Sequence, residues 1–363
     1  MNEQKTHKAY ELARERYAAL GIDTEKVLRQ LEDFHISLHC WQADDVKGFE
    51  TLQSALGGGI GVTGDCKGQA RNIDELRADI LKVQSLVPGS HRLNLHAIYG
   101  DFQGKSIDRD ELSLEHFQSW IEWGREHGTK LDFNSTSFSH PKSGNLSLAN
   151  PDAGIREFWI EHTRRCRDIA DAIGKAQDDP CIMNIWVHDG CKDMSVNHMM
   201  YRTALKDSLD RIFEEKKEHM KDCIEGKVFG IGLESFTVGS HDFYTAYAAK
   251  NGKILTIDTG HYHPTESPAD KISAVLNFVP ELMLHVSRPV RWDSDHVTLM
   301  DDPTQELFNE IVRADAVDRV HCGLDYFDGA INRIGAYVIG TRAAQKCMTR
   351  ALLEPVELIR KWE

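Results

Sequence analysis

The sequence predicts an α/β fold, a (β/α)8 TIM barrel with N- and C-terminal helical additions. Three observations carry this expectation. From residue 73 onward, short apolar runs of strand length alternate with longer amphipathic helical patterns, as a parallel sheet with crossover helices requires. Together with the run over 34–41, eight such runs can be counted, most of them preceded by a helix. Acids and histidines gather at the ends of the later runs, across residues 225–325, and barrel enzymes carry their sites at the C-terminal ends of their strands.

The bulk properties agree with this. A chain of 363 residues is long enough for one large barrel domain with decoration, so residues 1–363 are expected to form a single domain. The formal charge of −14 opposes a nucleic-acid partner, which would need a basic face. Eight cysteines, at positions 40, 66, 166, 181, 191, 223, 322 and 347, form no CxxC pair. Cys181, Cys223 and Cys322 lie inside apolar runs, where a free thiol behaves as a small hydrophobe. This usage is that of a reducing compartment, and a cytoplasmic location is expected. Residues 1–20 are rich in charge with no apolar core, which is not the pattern of a signal peptide. No run of ~18 apolar residues occurs, so no transmembrane helix and no membrane partner are expected.

The elements can be justified in order. Residues 5–32 hold two helical patterns. In the first, Tyr10, Leu12, Ala13, Tyr17 and Leu20 share one face and Gly21 is the C-cap candidate; in the second, from residue 24 to 31, Asp23 or Thr24 is the N-cap. The first strand is expected over 34–41. A Gly- and Asp-rich loop follows over 42–71, containing Gly59-Ile60-Gly61-Val62-Thr63-Gly64. This GxGxxG lacks a strand before it and an apolar helix after it, so the dinucleotide reading fails. An active-site lid and plain flexibility both remain open for the loop. Helix 73–86 then leads to strand 92–99, helix 113–127 to strand 131–134, and helix 151–173 to strand 181–186. A long helix is expected over 197–219 before the Glu225 segment. Helices over 243–249, 270–278 and 304–315 separate the remaining strands, and helix 331–353 closes the series.

The chemistry-bearing residues sit at the ends of the last four runs. They are Glu225 with Lys227, Asp258 with His261, His285 followed by Asp293 and Asp295, and Asp325. Buried carboxylates are costly unless paired or bound to a cation. Seven such donors (Glu225, Asp258, His261, His285, Asp293, Asp295, Asp325) at successive strand ends therefore point to a polynuclear metal site. For any one of them alone, a helix cap or a satisfied core histidine is the ordinary reading; the clustering argues otherwise. Carboxylates with some imidazole and no thiolate favour Mn²⁺, Mg²⁺ or Co²⁺ over structural zinc. Side chains alternate along a strand, so Glu225 and Lys227 point to the same side. Trp41 is a pocket-lining candidate, with core packing as the alternative. His39, His263 and His321 read as supporting or core groups, Glu234 could pass for a ligand, and Asp189 and Lys192 are lid contacts or merely solvated.

Several stretches carry a family resemblance. They are Leu38-His39-Cys40-Trp41-Gln42, Leu93-Asn94-Leu95-His96-Ala97-Ile98-Tyr99, Met183-Asn184-Ile185-Trp186, Phe229-Gly230-Ile231-Gly232, Gly260-His261-Tyr262-His263-Pro264-Thr265-Glu266 and, above all, Leu284-His285-Val286-Ser287-Arg288-Pro289-Val290-Arg291-Trp292-Asp293-Ser294-Asp295-His296. Through them essentially the whole chain resembles the L-rhamnose isomerase family of the xylose-isomerase-like barrel group. The resemblance implies interconversion of L-rhamnose and L-rhamnulose by a cytoplasmic homotetramer. It implies one ion held by Glu225, Asp258, His285 and Asp325 that binds substrate hydroxyls. A second ion, usually Mn²⁺, would be held by His261, Asp293 and Asp295 and carry the catalytic water; its companion is a divalent ion such as Zn²⁺, Co²⁺ or Mg²⁺. It implies Lys227 beside the reacting oxygens, His96 near the ring oxygen, Trp186 as an apolar wall, and the ligand role for Glu225 rather than Glu234. It also implies further helical sequence after the segment matching Leu352-Leu353-Glu354-Pro355, where this chain stops at Glu363.

Two chemical routes stay open at this level. One is a metal-assisted hydride shift after ring opening; the other is an ene-diol path needing a carboxylate base, for which Asp325 or Glu225 is the candidate. Other functions are weighed too. A ketose 3-epimerase would need a single metal and two acid/base groups flanking one carbon. A barrel endonuclease would need a basic groove, which the net charge opposes. A non-catalytic sugar- or metal-binding protein would have no use for Lys227.

Overall fold

The computed structural model describes residues 3–52 and 60–363. Its strands are β1 (Ile36–His39), β2 (Arg92–His96), β3 (Leu131–Asn134), β4 (Cys181–Ile185), β5 (Gly190–Cys191), β6 (Met220–Glu225), β7 (Phe236–Thr237), β8 (Ile254–Asp258), β9 (Leu282–Val286) and β10 (Val320–Leu324). Eight of them close into a barrel in the order β1-β10-β9-β8-β6-β4-β3-β2, every pairing parallel. Closure is made by β1, which pairs with β10 through Ile36↔Cys322 and with β2 through Leu38↔Leu93. β5 and β7 form a separate antiparallel pair in the loops after β4 and β6, two short strands that sequence periodicity did not flag.

The helices are α1 (Glu3–Ala18), α2 (Thr24–Glu32), α3 (Ile73–Gln84), α4 (Gln118–His127), α5 (Ala153–Gln177), α6 (His198–Ile212), α7 (His241–Asn251), α8 (Ala269–Val275), α9 (Asp302–Arg313), α10 (Arg333–Leu352) and α11 (Val356–Arg360). Several begin on a side chain that satisfies otherwise unpaired first-turn amides. Asp23 accepts from the Glu25 and Lys26 amides, Asp152 from Gly154 and Ile155, and Asp301 from Thr304. α4 and α7 end on Gly128 and Gly252, whose positive φ of 66° and 60° suits a residue without Cβ.

The core lies between the barrel wall and the helices. Inside the barrel, Ile182, Cys223, Ile254 and Met283 from β4, β6, β8 and β9 make a separate apolar cluster. The other half of the barrel floor is polar. There Asp132 accepts from Ser37 Oγ at 2.6 Å, from Arg92 Nε at 2.9 Å and Nη2 at 2.8 Å, and from the Ile182 amide at 2.9 Å. Burial would raise the Asp132 carboxyl, but the Arg92 charge and these donors hold it below its ordinary value.

Three expectations are corrected. The helix expected over 197–219 ends at Ile212, because α5 captures the segment beyond it. Arg167 donates to the Ile212 and Glu215 carbonyls at 2.5 and 2.9 Å, and Asp171 accepts from the Glu218 and His219 amides at 3.0 and 2.7 Å. These contacts turn the chain into β6. The strands expected over 34–41 and 92–99 stop at His39 and His96, each passing into a 3-10 turn (Cys40–Gln42, Ala97–Tyr99) as the chain leaves the barrel wall. The apolar face of α1 buries nothing within the chain, and Leu12 and Leu20 are 53% and 46% exposed.

The loop over 42–71 contains no helix beyond the turn at Cys40–Gln42, among the described residues. Its central residues 53–59, which include Gly59 of the GxGxxG, lie outside the described residues, and the lid expectation falls largely on them. The flanks are firmly held. Asp45 takes two hydrogen bonds of 2.8 Å from Arg333, the Cys66 amide donates to Gly329 at 3.1 Å, and the Ala70 amide donates to Ala43 at 2.8 Å. Buried Asp44 accepts from Tyr99 Oη at 2.5 Å and the Gly48 amide at 2.7 Å, and burial pushes its carboxyl up to about 7. Arg109 reaches across to Glu50 at 2.5 and 3.1 Å while donating to the Thr136 and Phe138 carbonyls at 2.8 and 2.6 Å.

The Arg109–Glu50 pair tests this anchoring. Both side chains are almost wholly buried, at 2% and 4% exposure. Removing one partner leaves a charge buried and alone, so Arg109→Leu should destabilise by about 3–5 kcal/mol. The double replacement with Glu50→Leu should recover part of that loss, as read from urea unfolding of both variants.

Candidate metal centre

Strand geometry delivers the donors to one end of the barrel. Glu225 and Asp258 are the last residues of β6 and β8, His285 is the penultimate residue of β9, and Asp325 directly follows β10. The register sets Asp258 beside His285 and Gly323 beside His285. Gly323 leaves the imidazole room, since a Cβ there would lie 3.4 Å from His285 Cδ2 and 3.0 Å from Met283 Cε. Asp293 and Asp295 come from the loop after β9, which folds back on itself. The Arg288 amide donates to the His296 carbonyl at 2.9 Å, Val290 N bonds Ser294 Oγ at 2.9 Å, and Asp295 adopts a left-handed φ of 48°. A Cβ on Gly260 would collide with Asp293 Oδ1, so a larger residue there would displace that carboxylate.

The donors form two overlapping groups, each with its ligand atoms within 4.8 Å of one another: Glu225, Asp258, His285 and Asp325, and Asp258, His261 and Asp293. Asp258 belongs to both. In the first group, His285 Nδ1 lies 3.0 Å from Glu225 Oε2, 3.1 Å from Asp325 Oδ2 and 3.9 Å from Asp258 Oδ2. In the second, His261 Nε2 lies 3.3 Å from Asp293 Oδ2 and 3.8 Å from Asp258 Oδ2, while its Nδ1 is 2.9 Å from Glu225 Oε1. Lys227 Nζ donates to Asp293 Oδ2 at 2.7 Å and stands 5.2 Å from the Trp186 ring centre.

The electrostatics are those of a crowded, desolvated acid cluster. Burial drives the Asp258 and Asp295 carboxyls well up, and neighbouring carboxylates add to the effect. Burial would also raise Glu225, but the His285 and His261 charges pull it down to about 2. Burial opposes charge on His261 and His285 as well, yet the surrounding carboxylates hold both imidazoles protonated well above their ordinary range. Desolvation disfavours the Lys227 ammonium, and Asp293 outweighs it.

The donor set fits a pair of divalent cations. Asp258 Oδ2, Asp293 Oδ1 and His285 Nε2 are buried with no hydrogen-bond partner among the described residues. Buried polar atoms are normally satisfied, and orphans that converge from three segments on one volume are what ligands look like without their ion. The set holds oxygen and imidazole donors only, the chemistry of Mn²⁺, Co²⁺ or Mg²⁺ sites.

These donors form one wall of a pocket lined also by Trp41, His96, Trp186, Ile60, Ser135 and Phe327. Trp41 stacks on the His96 ring at 4.0 Å. His96 Nε2, Trp41 Nε1, Trp186 Nε1 and Ser135 Oγ are buried with no hydrogen-bond partner among the described residues. Burial keeps His96 neutral, and its Nδ1 lies 3.3 Å from Thr136 Oγ1.

All ten residues singled out from the sequence as ligands or pocket groups, together with Trp41, meet in this pocket or its donor groups. Asp295 lines the pocket but joins neither donor group. His39 stands behind Asp325, its Nδ1 3.2 Å from Oδ1. His321 pairs with Glu281 at 2.6 Å and lines a separate cavity beside Arg92 and Asp132, and exposed His263 bonds Thr265. Glu234 is exposed. Asp189 is neither lid contact nor solvated: it is fully buried and accepts from Ser147 N, Ser147 Oγ and Ala149 N, each at 2.6 Å. Asn134, Ser135 and Asn184 were missed. The signal for Asn134 was a polar residue at every second position, Asp132 and Asn134 of β3, and for Asn184 a lone amide in the otherwise apolar β4.

Comparison with known proteins agrees with this geometry. Residues 4–363 match the family described as RhaA, L-rhamnose isomerase. The chain is 72% identical over 361 residues to an L-rhamnose isomerase of Bacteroides thetaiotaomicron, covering 99% of this chain and 86% of that protein. It is 55% identical over 359 residues to an L-rhamnose isomerase of Rhodopirellula baltica, covering 98% and 84%. Among solved structures, a xylose isomerase domain protein from Alicyclobacillus acidocaldarius shares the fold, with a TM-score of 0.52 at 10% identity over 88% of this chain and 99% of that one. A barrel closed by β1, an oxygen- and imidazole-rich donor cluster at its mouth and a full-length family match converge on one assignment: the chain belongs to the L-rhamnose isomerase family.

Proposed function

We propose that this chain interconverts L-rhamnose and L-rhamnulose with the help of two divalent cations, one of them Mn²⁺, through ring opening and a hydride shift between C1 and C2. The observation that carries the reading is the pair of donor groups sharing Asp258, facing a pocket wall of unpaired polar groups. Glu225, Asp258, His285 and Asp325 would hold one ion, and His261 and Asp293, with Asp295 at the pocket wall, the other. When bound, the ions supply Lewis-acid polarisation of the sugar's reacting oxygens.

The remaining work falls to side chains. Lys227 keeps a positive charge against Asp293 and offers N–H donors where oxyanion charge develops. Neutral His96 turns its free Nε2 toward the pocket, where it can hydrogen-bond the ring oxygen as the sugar opens. Trp41 fixes the His96 ring by stacking, and Trp186 walls the cavity against water. Both carboxylates that could serve as base in an ene-diol route, Glu225 and Asp325, belong to a donor group, and a carboxylate held by a cation is a poor base, which favours hydride shift. Eight free thiols and the family relationship support the further expectation of a cytoplasmic homotetramer. No helix is long and apolar enough to cross a membrane, among the described residues.

Three outcomes are expected. Chelation should abolish isomerisation of L-rhamnose and Mn²⁺ should restore it in a coupled or chromatographic ketose assay; failure of added Mn²⁺ and its divalent relatives to restore turnover would overturn the reading. Lys227→Met should lower kcat by about 10²–10³-fold while Mn²⁺ still binds, as for loss of one oxyanion donor. Because Asp258, Asp295, His261 and His285 all have raised pKa values without metal, cations must displace their protons. Mn²⁺ affinity should therefore fall as pH drops from 8 to 6, roughly tenfold per unit for each proton released. Calorimetry in buffers of different ionisation enthalpy reads that proton count directly.

A further inference from the structure

Beneath the ligand residues the barrel interior carries buried amides, Asn94 on β2, Asn134 on β3 and Asn184 on β4. One of them is tied to the donor cluster through two short hydrogen bonds. Thr256 Oγ1 donates to Asn184 Oδ1 at 2.7 Å, and Asn184 Nδ2 donates to Glu225 Oε2 at 2.6 Å. The direction is forced by chemistry. A carboxylate oxygen only accepts, so the amide turns its NH2 to Glu225. Its oxygen then faces Thr256, whose hydroxyl supplies the proton that this oxygen needs.

The strand order gives the arrangement its purpose. β6, which ends in Glu225, is paired on one side with β4 and on the other with β8. Thr256 on β8 is the register partner of Glu225, and Asn184 on β4 is the partner of Cys223 two residues earlier. The bridge from Thr256 to Asn184 thus spans β6 inside the barrel and grips Glu225 from its far side. His285 Nδ1 also lies 3.0 Å from Glu225 Oε2, but it is itself a candidate ligand. The Asn184 NH2 has no lone pair for a cation and can only hold the carboxylate.

We propose that Thr256 and Asn184 are positioning residues that fix the plane of the Glu225 carboxylate, and so set the affinity of the cation site shared with Asp258, His285 and Asp325. This inference rests on the two-cation reading above. Outer partners of ligating carboxylates typically govern metal affinity by 10–100-fold. The second group, Asp258, His261 and Asp293, takes no hydrogen bond from either residue among the described contacts.

The experiment titrates Mn²⁺ alone into metal-free wild-type protein and the Thr256→Val, Thr256→Ser and Asn184→Leu variants, followed by calorimetry. The expected result is two sites in the wild type, with one weakened about 10–100-fold in Thr256→Val and Asn184→Leu and the other unchanged. Thr256→Ser, which keeps the hydroxyl, should restore the weakened site. Loss of the hydroxyl leaves Asn184 Oδ1 buried without its donor, so the thermal midpoint of the metal-free protein should fall modestly in Thr256→Val and recover in Thr256→Ser; a purely structural role would loosen both sites together. Should Thr256→Val fail to fold, Asn184→Leu against Thr256→Ser carries the same comparison. Wild-type affinity at both sites in the valine and leucine variants, or equal weakening of both, would overturn the inference alone. A wild-type protein that binds no Mn²⁺ would overturn the two-cation reading and this inference with it.

Discussion

Five carboxylates, Glu225, Asp258, Asp293, Asp295 and Asp325, share the mouth of one barrel, where water is scarce and like charges repel at full strength. Everything around the site answers that repulsion. Burial and mutual repulsion push the Asp258 and Asp295 carboxyls well up, while adjacent imidazoles and Lys227 hold Glu225, Asp293 and Asp325 down. Fully ionised, five carboxylates against one lysine leave four negative charges, which two divalent cations would match.

Such a cluster needs a rigid frame, since carboxylates that can move apart will do so. The frame is the closed parallel barrel with apolar residues filling one half of its floor and the Arg92–Asp132 network the other. Its interior changes character along the axis. Ile182, Cys223, Ile254 and Met283 give way to Asn94, Asn134, Asn184 and Thr256, and these to the ligands. The intermediate layer has unionised donors and acceptors, so it can hold charged groups in place without adding charge.

The loops obey the same logic by other means. The segments beside the pocket are tied to one another by ion pairs, Arg333 to half-buried Asp45 and Arg109 to buried Glu50, and by the buried Asp189 carboxylate that gathers three donors from residues 147–149. Each tether links stretches far apart in sequence. The pocket wall they support, Trp41 stacked on His96 opposite the acids, is apolar on its faces and polar only at unpaired edges. That combination suits a sugar, which presents hydroxyls along its rim and C–H groups on its faces.

What the sequence determined by itself was the periodic part. Strand-length apolar runs alternating with capped helices specify a parallel barrel, because local backbone preference and hydrophobic spacing are written within a dozen residues. The clustering of the candidate donors was equally legible, since charged residues at the ends of apolar strands have no cheap structural explanation and fall at one end of the barrel once the strands are parallel. The tertiary structure alone decided what depends on contacts between distant segments. It ended α6 at Ile212 because Arg167 and Asp171 of another helix take over its backbone. It turned Asp189 from an apparent loop acid into a buried tether, placed His39 behind Asp325, and brought Asp258 within reach of both donor groups. It also set Asn184 and Thr256 on either side of Glu225. No local pattern encodes these, because a hydrogen bond across the barrel is a property of two strands' register and not of either strand's residues.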